Sequence, residues 1–220
     1  MTRLYQIDSL KLLCAVLVVF IHTVTPYKAD ILPLTRCAVP CFFIISGYLI
    51  FSPDAARLDG HLRRSSLRML KILGWSTALF AAVKLAFALR SGDFSFLSWR
   101  AMAAFVALNE NPFAGHLWYV GAYLYVLLIV RGCLRLHALP TLFYAIPLLL
   151  LLDLCFGKYS IALWGREFPY VYVRNFLCVG LPFVGIGMLL KKHKDKILST
   201  SRLQALTTGG GNFICLNVLR

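Results

Sequence analysis

Long apolar runs alternate along this chain with shorter stretches in which basic residues gather. A helix needs about 20 predominantly apolar residues to cross the hydrocarbon of a bilayer, within a range of about 17–25. Six stretches read as spans: residues 9–27, 36–52, 72–89, 117–130, 138–156 and 175–190, the fourth starting up to a turn earlier. The run AMAAFVAL, 101–108, is too short to cross and reads as a surface or re-entrant segment packed before the fourth span. The pattern therefore predicts an all-α fold, a polytopic transmembrane bundle of about six spans.

Composition agrees. Hydrophobic residues make up 60% of the 220 positions, against about 45–50% in soluble domains. The formal charge of +14 could suggest nucleic acid, but the basic residues stand between apolar runs, where the positive-inside rule puts them. With the N-terminus in the cytoplasm, the inner segments hold fifteen of the 23 Lys and Arg residues, the outer segments seven, and Lys84 lies within a span. That bias predicts both termini on the cytoplasmic side and excludes nucleic acid as the partner. Most of the seven cysteines lie in apolar runs, where a thiol behaves as a small hydrophobe. No zinc spacing and no disulfide framework emerges. The first run continues into TPYKAD without a small-residue cleavage site, so it is expected to stay as the first helix. The segment STSRLQALTTGGGNFICLNVLR, 199–220, reads as neither a seventh span nor a clear domain.

Candidate chemistry begins on the first span, which carries Asp8, Lys11 and His22. A helix turns about 100° and rises about 1.5 Å per residue, so Lys11 and His22 share a face roughly 16 Å apart, with Asp8 one turn before Lys11. Charge facing lipid is costly, so this stripe is expected to face the bundle interior or a wet cavity. A juxtamembrane ion pair accounts for Asp8 and Lys11, and an interhelical hydrogen bond could account for His22. Histidine is equally the side chain best suited to general-base work near neutral pH. In FFIISGYL, 42–49, Ser46 and Gly47 serve either close helix packing or a substrate passage beside the histidine. The loop RLDGHLRRSSLRMLK, 57–71, puts Arg64, Arg68 and Lys71 on one helical face. Such a cluster sets topology or holds phosphates. GHLWYV, 115–120, places His116 at a membrane boundary, and Arg174 with Asn175 opens the last span. Lys84 and Asp153, within or near spans, need partners or water.

Taken together, these stretches resemble the membrane-bound acyltransferase-3 family. IDSLKLLCAVLVVFIH resembles its first-helix signature, a basic residue and then ten others before His; VPCFFIISGYL resembles its second-helix motif; RMLK resembles the paired basic motif that opens its third helix, with Lys71 where Arg is usual. HLWYVGAYL and LPFVGIGMLLKK resemble later blocks. The resemblance covers about 3–194 and leaves 195–220 as an atypical tail. Family members usually have about ten spans, so it implies the N-terminal part of the usual unit, with a truncated or frameshifted tail.

The resemblance implies transfer of an acyl group, commonly acetyl, from cytoplasmic acyl-CoA to a hydroxyl on an extracytoplasmic sugar or glycan of the cell envelope. It implies His22 as the catalytic residue, acting as general base or as transient acyl carrier. Lys11, Arg68 and Lys71 would serve the donor, joined by Arg64 of the same face. Asp8, Ser46, Gly47, His116, Arg174 and Asn175 are expected in support. The expected surroundings are membrane lipid and a bacterial cytoplasmic membrane, with acyl-CoA as donor, a carbohydrate as acceptor and no metal. The alternatives are a non-catalytic membrane module for small-molecule passage or partner binding, and an inactive remnant.

Overall fold

A computed structural model of the protein describes residues 5–23, 28–169 and 172–199, with the backbone alone over 28–31. All regular elements among them are helical. The chain divides into two compact units, Met1–Phe51 with Ile186–Arg220, and Ser52–Gly185.

Five helices among the described residues are long and apolar enough to cross a membrane: Tyr5–His22, Leu32–Ile50, Ala55–Ser91, Gly115–Arg135 and Leu139–Lys158. The expected sixth, 175–190, is helical but shorter and irregular. It opens as a π turn, Phe176–Gly180, and continues as a helix, Leu181–Lys192. The cause is local. Asn175 accepts from the Leu177 and Cys178 N–H groups at 2.8 and 3.0 Å, and Pro182 has no N–H to give the preceding turn, so the ladder widens there.

In the first unit, α1 (Tyr5–His22) packs on α2 (Lys28–Arg36) and α3 (Ala38–Ile50). Cys14 is the buried residue of α1, and Ile7, Lys11, Val18 and Ile21 are half-buried around it. α1 ends at His22, and the expected continuation through 24–27 lies outside the described residues. α3 buries Phe43, Ile45, Gly47 and Ile50. Gly187 lies directly on its backbone: a methyl group there would overlap the Ile44 carbonyl oxygen and come within 2.8 Å of the Tyr48 nitrogen. Small residues serve this purpose in membrane helices, where close backbone approach replaces hydrophobic attraction between apolar surfaces.

The second unit is built on α4 (Ala55–Ser91), α5 (Trp99–Leu108), α6 (Trp118–Arg135) and α7 (Leu139–Asp153), with a short α8 (Ser160–Trp164). α9 (Leu181–Lys192) runs from this unit into the first. The expected loop at 57–71 is a helix, continuous with the span after it. Asp54 caps the N-terminus by accepting from Ala56 N–H at 3.1 Å, and Gly92 closes the other end with φ 74°. No proline stands between them, so nothing breaks the ladder at the change from polar to apolar sequence. At 37 residues, α4 is roughly 55 Å long at about 1.5 Å per residue. Leu58, Leu62 and Ser66, spaced by four, are buried along it. The expected short segment at 101–108 is α5, with Ser98 as its N-cap.

Gly187→Ala is expected to lower stability by about 1–3 kcal/mol or more, because the added methyl meets backbone that cannot rotate away. Thermal unfolding of the detergent-solubilised protein measures this; an unchanged midpoint would show that α3 and residue 187 do not touch.

Candidate functional site

The first-helix stripe exists as a helical face. Lys11 Nζ lies 3.4 Å from Asp8 Oδ1, three residues back. The face that α1 packs inward is centred on Cys14, about 60° round the helix from Lys11. Lys11 therefore sits at the edge of the packed face and is half-buried, while Asp8 and His22 are exposed. The stripe flanks the α1–α2–α3 packing instead of being sealed within it. The His22 side chain makes no hydrogen bond to another described residue. Its ring is exposed at the end of α1, about 16 Å along the axis from Lys11.

On α3, Gly47 is buried and Ser46 half-buried. Gly47 lies within the stretch, Ile44–Tyr48, that meets Gly187, so packing accounts for the small residues in FFIISGYL. Lys191 extends over the Tyr48 ring, 4.8 Å from its centroid.

The second unit carries the basic cluster. Arg64, Arg68 and Lys71 are exposed on α4, at spacings of four and three, and none pairs with a carboxylate among the described residues. Asp59 faces the other way. From Asp59 to Arg64, Arg68 and Lys71 is about 120–180° round the helix. Asp59 holds Arg131 of α6 in a two-pronged pair, Nε to Oδ1 at 2.7 Å and NH2 to Oδ2 at 3.1 Å. Arg135 approaches the same carboxylate at 3.6 Å. Side-to-side geometry of this kind fixes both distance and plane. It ties the start of α4 to the end of α6, so the two helices run antiparallel, with the cationic face turned away from α6.

The opposite end of that pair holds the other expected residues. Thr77 of α4 accepts from Asn111 Nδ2 at 2.9 Å, and Lys84 donates to the Pro112 carbonyl at 2.6 Å. Lys84 also stands 5.1 Å from the centre of the Phe96 ring, which answers how this intramembrane cation is accommodated. His116 is exposed and meets Phe80 edge-on at 4.9 Å. Arg174 lies over Trp118, 4.3 Å from the ring centre. Asn175 is buried and works on the backbone, capping the π turn and donating to Tyr172 O at 2.8 Å. The structure thus gathers His116, Trp118, Arg174 and Asn175 around the start of α6.

Two residues not singled out from sequence organise this end. Asn109, buried with φ 54°, donates to Trp118 O at 3.2 Å and accepts from Phe176 N–H at 3.0 Å. Gly121 leaves room for it, a built Cβ there falling 3.4 Å from Asn109 Cβ. Asn111 accepts from Phe113 and Ala114 N–H groups at 2.9 and 3.2 Å. The signal was present in NENP, 109–112, a polar knot between two apolar runs.

Comparison with known proteins gives one family. A family model described as an acyltransferase domain matches residues 4–215. No curated protein and no solved structure matches the chain.

Asp59→Ala is expected to lower the melting temperature by leaving Arg131 without its carboxylate. The double variant Asp59→Ala/Arg131→Ala is expected to lose less than the sum of the single losses, as partners in one pair do. Additive losses in thermal melts would show that the pair does not bind α4 to α6.

Proposed function

Given that the chain belongs to the acyltransferase-3 family, we propose that it moves an acyl group, commonly acetyl, from cytoplasmic acyl-CoA to a hydroxyl of an extracytoplasmic sugar or glycan. Family and apolar helices together make it an integral membrane acyltransferase; donor, acceptor, sidedness and residue roles belong to the proposal. The observation that carries it is the α1 stripe. Lys11 and His22 share a face while standing about 16 Å apart, which suits an elongated donor with an anionic end and a reactive end. A thioester of CoA is such a molecule. Its anionic end would lie with Lys11 in the first unit. In the second unit Arg64, Arg68 and Lys71, none paired with a carboxylate among the described residues, are proposed donor-binding residues from the family resemblance.

In this reading His22 acts as general base. The imidazole takes the proton of the acceptor hydroxyl as its oxygen attacks the thioester carbonyl. The carbon–sulfur bond then breaks, and the CoA thiolate leaves to be protonated. The exposed ring supports that role, since no hydrogen bond within the described residues occupies its nitrogens. Asp8 would keep Lys11 oriented through their ion pair. Within the second unit, Asn175 shapes the backbone beside His116 and Arg174, and all three are proposed supporting residues from the family resemblance. Both termini would be cytoplasmic, in a bacterial inner membrane, with Arg64, Arg68 and Lys71 on the donor side.

His22→Ala is expected to cut acyl transfer by about 10²–10⁴-fold while acetyl-CoA still binds, measured with radiolabelled acetyl-CoA on protein in nanodiscs. Transfer at the parental rate would remove His22 from the mechanism. Arg68→Ala and Lys71→Ala are each expected to raise the KM for acyl-CoA about tenfold, through loss of a charge-assisted phosphate contact, with kcat little changed. A fall in kcat at constant KM would take these residues out of the donor site.

A further inference from the structure

The last of the five long apolar helices ends at Lys158, and Arg166 follows in the turn after α8. Basic residues at the end of a span stand at the level of lipid headgroups. Beside this end, within the second unit, is a cavity of about 350 Å³ lined by Leu152, Phe156, Phe168, Tyr172, Val173 and Cys178. Its size falls in the range of small-ligand sites, about 300–1,000 Å³. The functional reading above uses none of these six residues.

The chemistry of the walls restricts what can enter. Four of the six are aliphatic or phenylalanine side chains. Phe156 meets Phe168 edge-on at 5.3 Å and stacks on Trp164 at 5.7 Å, so one wall is a rigid aromatic cluster. Of the nearby polar atoms, Tyr172 O accepts from Asn175 Nδ2 at 2.8 Å and from Cys178 Sγ at 3.8 Å, and the Asp153 carboxylate stands close enough to act electrostatically on Cys178. A sugar or a nucleotide would lose its water here and find few partners, which is costly. A hydrocarbon chain would lose nothing.

The rim has the opposite character. The Arg166 guanidinium lies over the ring of the lining residue Phe168, 4.7 Å from its centre, and Lys158 follows the lining residue Phe156 by two positions, its Nζ 5.9 Å from the centre of the adjacent Tyr159 ring. Both cations are exposed, and neither pairs with a carboxylate among the described residues. An apolar cavity with a basic rim at a membrane boundary is complementary to one kind of molecule that is abundant there. We propose that this cavity holds one acyl chain of an anionic phospholipid, whose phosphate is met by Arg166 and Lys158. The inference does not depend on acyl transfer; it would hold for any activity of this chain.

The test uses the full chain in nanodiscs containing equal phosphatidylglycerol and phosphatidylcholine, followed by native mass spectrometry after stepwise delipidation. The wild type is expected to retain one phosphatidylglycerol after phosphatidylcholine has been stripped. The double variant Lys158→Gln/Arg166→Gln is expected to lose that preference by about 25-fold, at roughly a factor of five for each cation near an anionic headgroup. Leu152→Trp, which fills the cavity, is expected to release the retained lipid of either kind. Because Lys158 and Arg166 are exposed, their replacement leaves the packing intact, so the result does not hang on Leu152→Trp folding. Equal retention of the two lipids by wild type, retention of neither, or an unchanged preference in the double variant would each overturn the proposal.

Discussion

Lipid offers helices no hydrophobic reason to associate, so polar and small-residue contacts must set how they meet. In the larger unit that task falls to the two ends of the α4–α6 pair. Asp59 grips Arg131 and Arg135 at one end. Asn111 and the Pro112 carbonyl engage Thr77 and Lys84 at the other. The two helices are packed against each other, and among their buried side chains are Leu58 and Leu62 on α4 and Ala122 and Val126 on α6. With both ends fixed, neither sliding nor rotation of α4 is free. The direction in which Arg64, Arg68 and Lys71 point follows from that lock.

Asn109 extends the same logic to the chain after α8. One side chain joins the start of α6 to the π turn at Phe176, and Asn175 then shapes that turn from within. His116, Trp118 and Arg174 are consequently presented together, although 58 positions in sequence separate the first from the last. The smaller unit uses a different device: Gly187 brings one backbone directly against another, leaving the polar side of α1 uncovered by α2 and α3.

The parts of this architecture that sequence revealed are those governed by local repetition. Apolar run length located the five long helices, and the helical turn alone put Lys11 and His22 on one face. The segment 57–71 was harder, because its charge resembles a loop. Only the absence of a breaker between Asp54 and Gly92 betrays that the helix continues. The final span misled for the converse reason: its hydrophobicity is sufficient, but Asn175 and Pro182 alter its backbone. Asp59–Arg131 and Asn109–Phe176 join residues 72 and 67 positions apart, and no local pattern encodes such pairs. Candidate chemistry on α1 was thus legible, whereas the polar framework that orients the other cations was not.

The length of α4 has a mechanical consequence. A bilayer core is about 30 Å thick, so a rod of roughly 55 Å carries its basic third well outside the hydrocarbon. That portion behaves as a lever whose fulcrum lies in the membrane. Taking the pivot near residue 80, a tilt of about 10° displaces the Asp54 end by roughly 7 Å, given about 1.5 Å of rise per residue. Helices tilt in response to bilayer thickness. The lipid composition around this protein therefore sets where, in the water beyond the membrane, its row of cations is held.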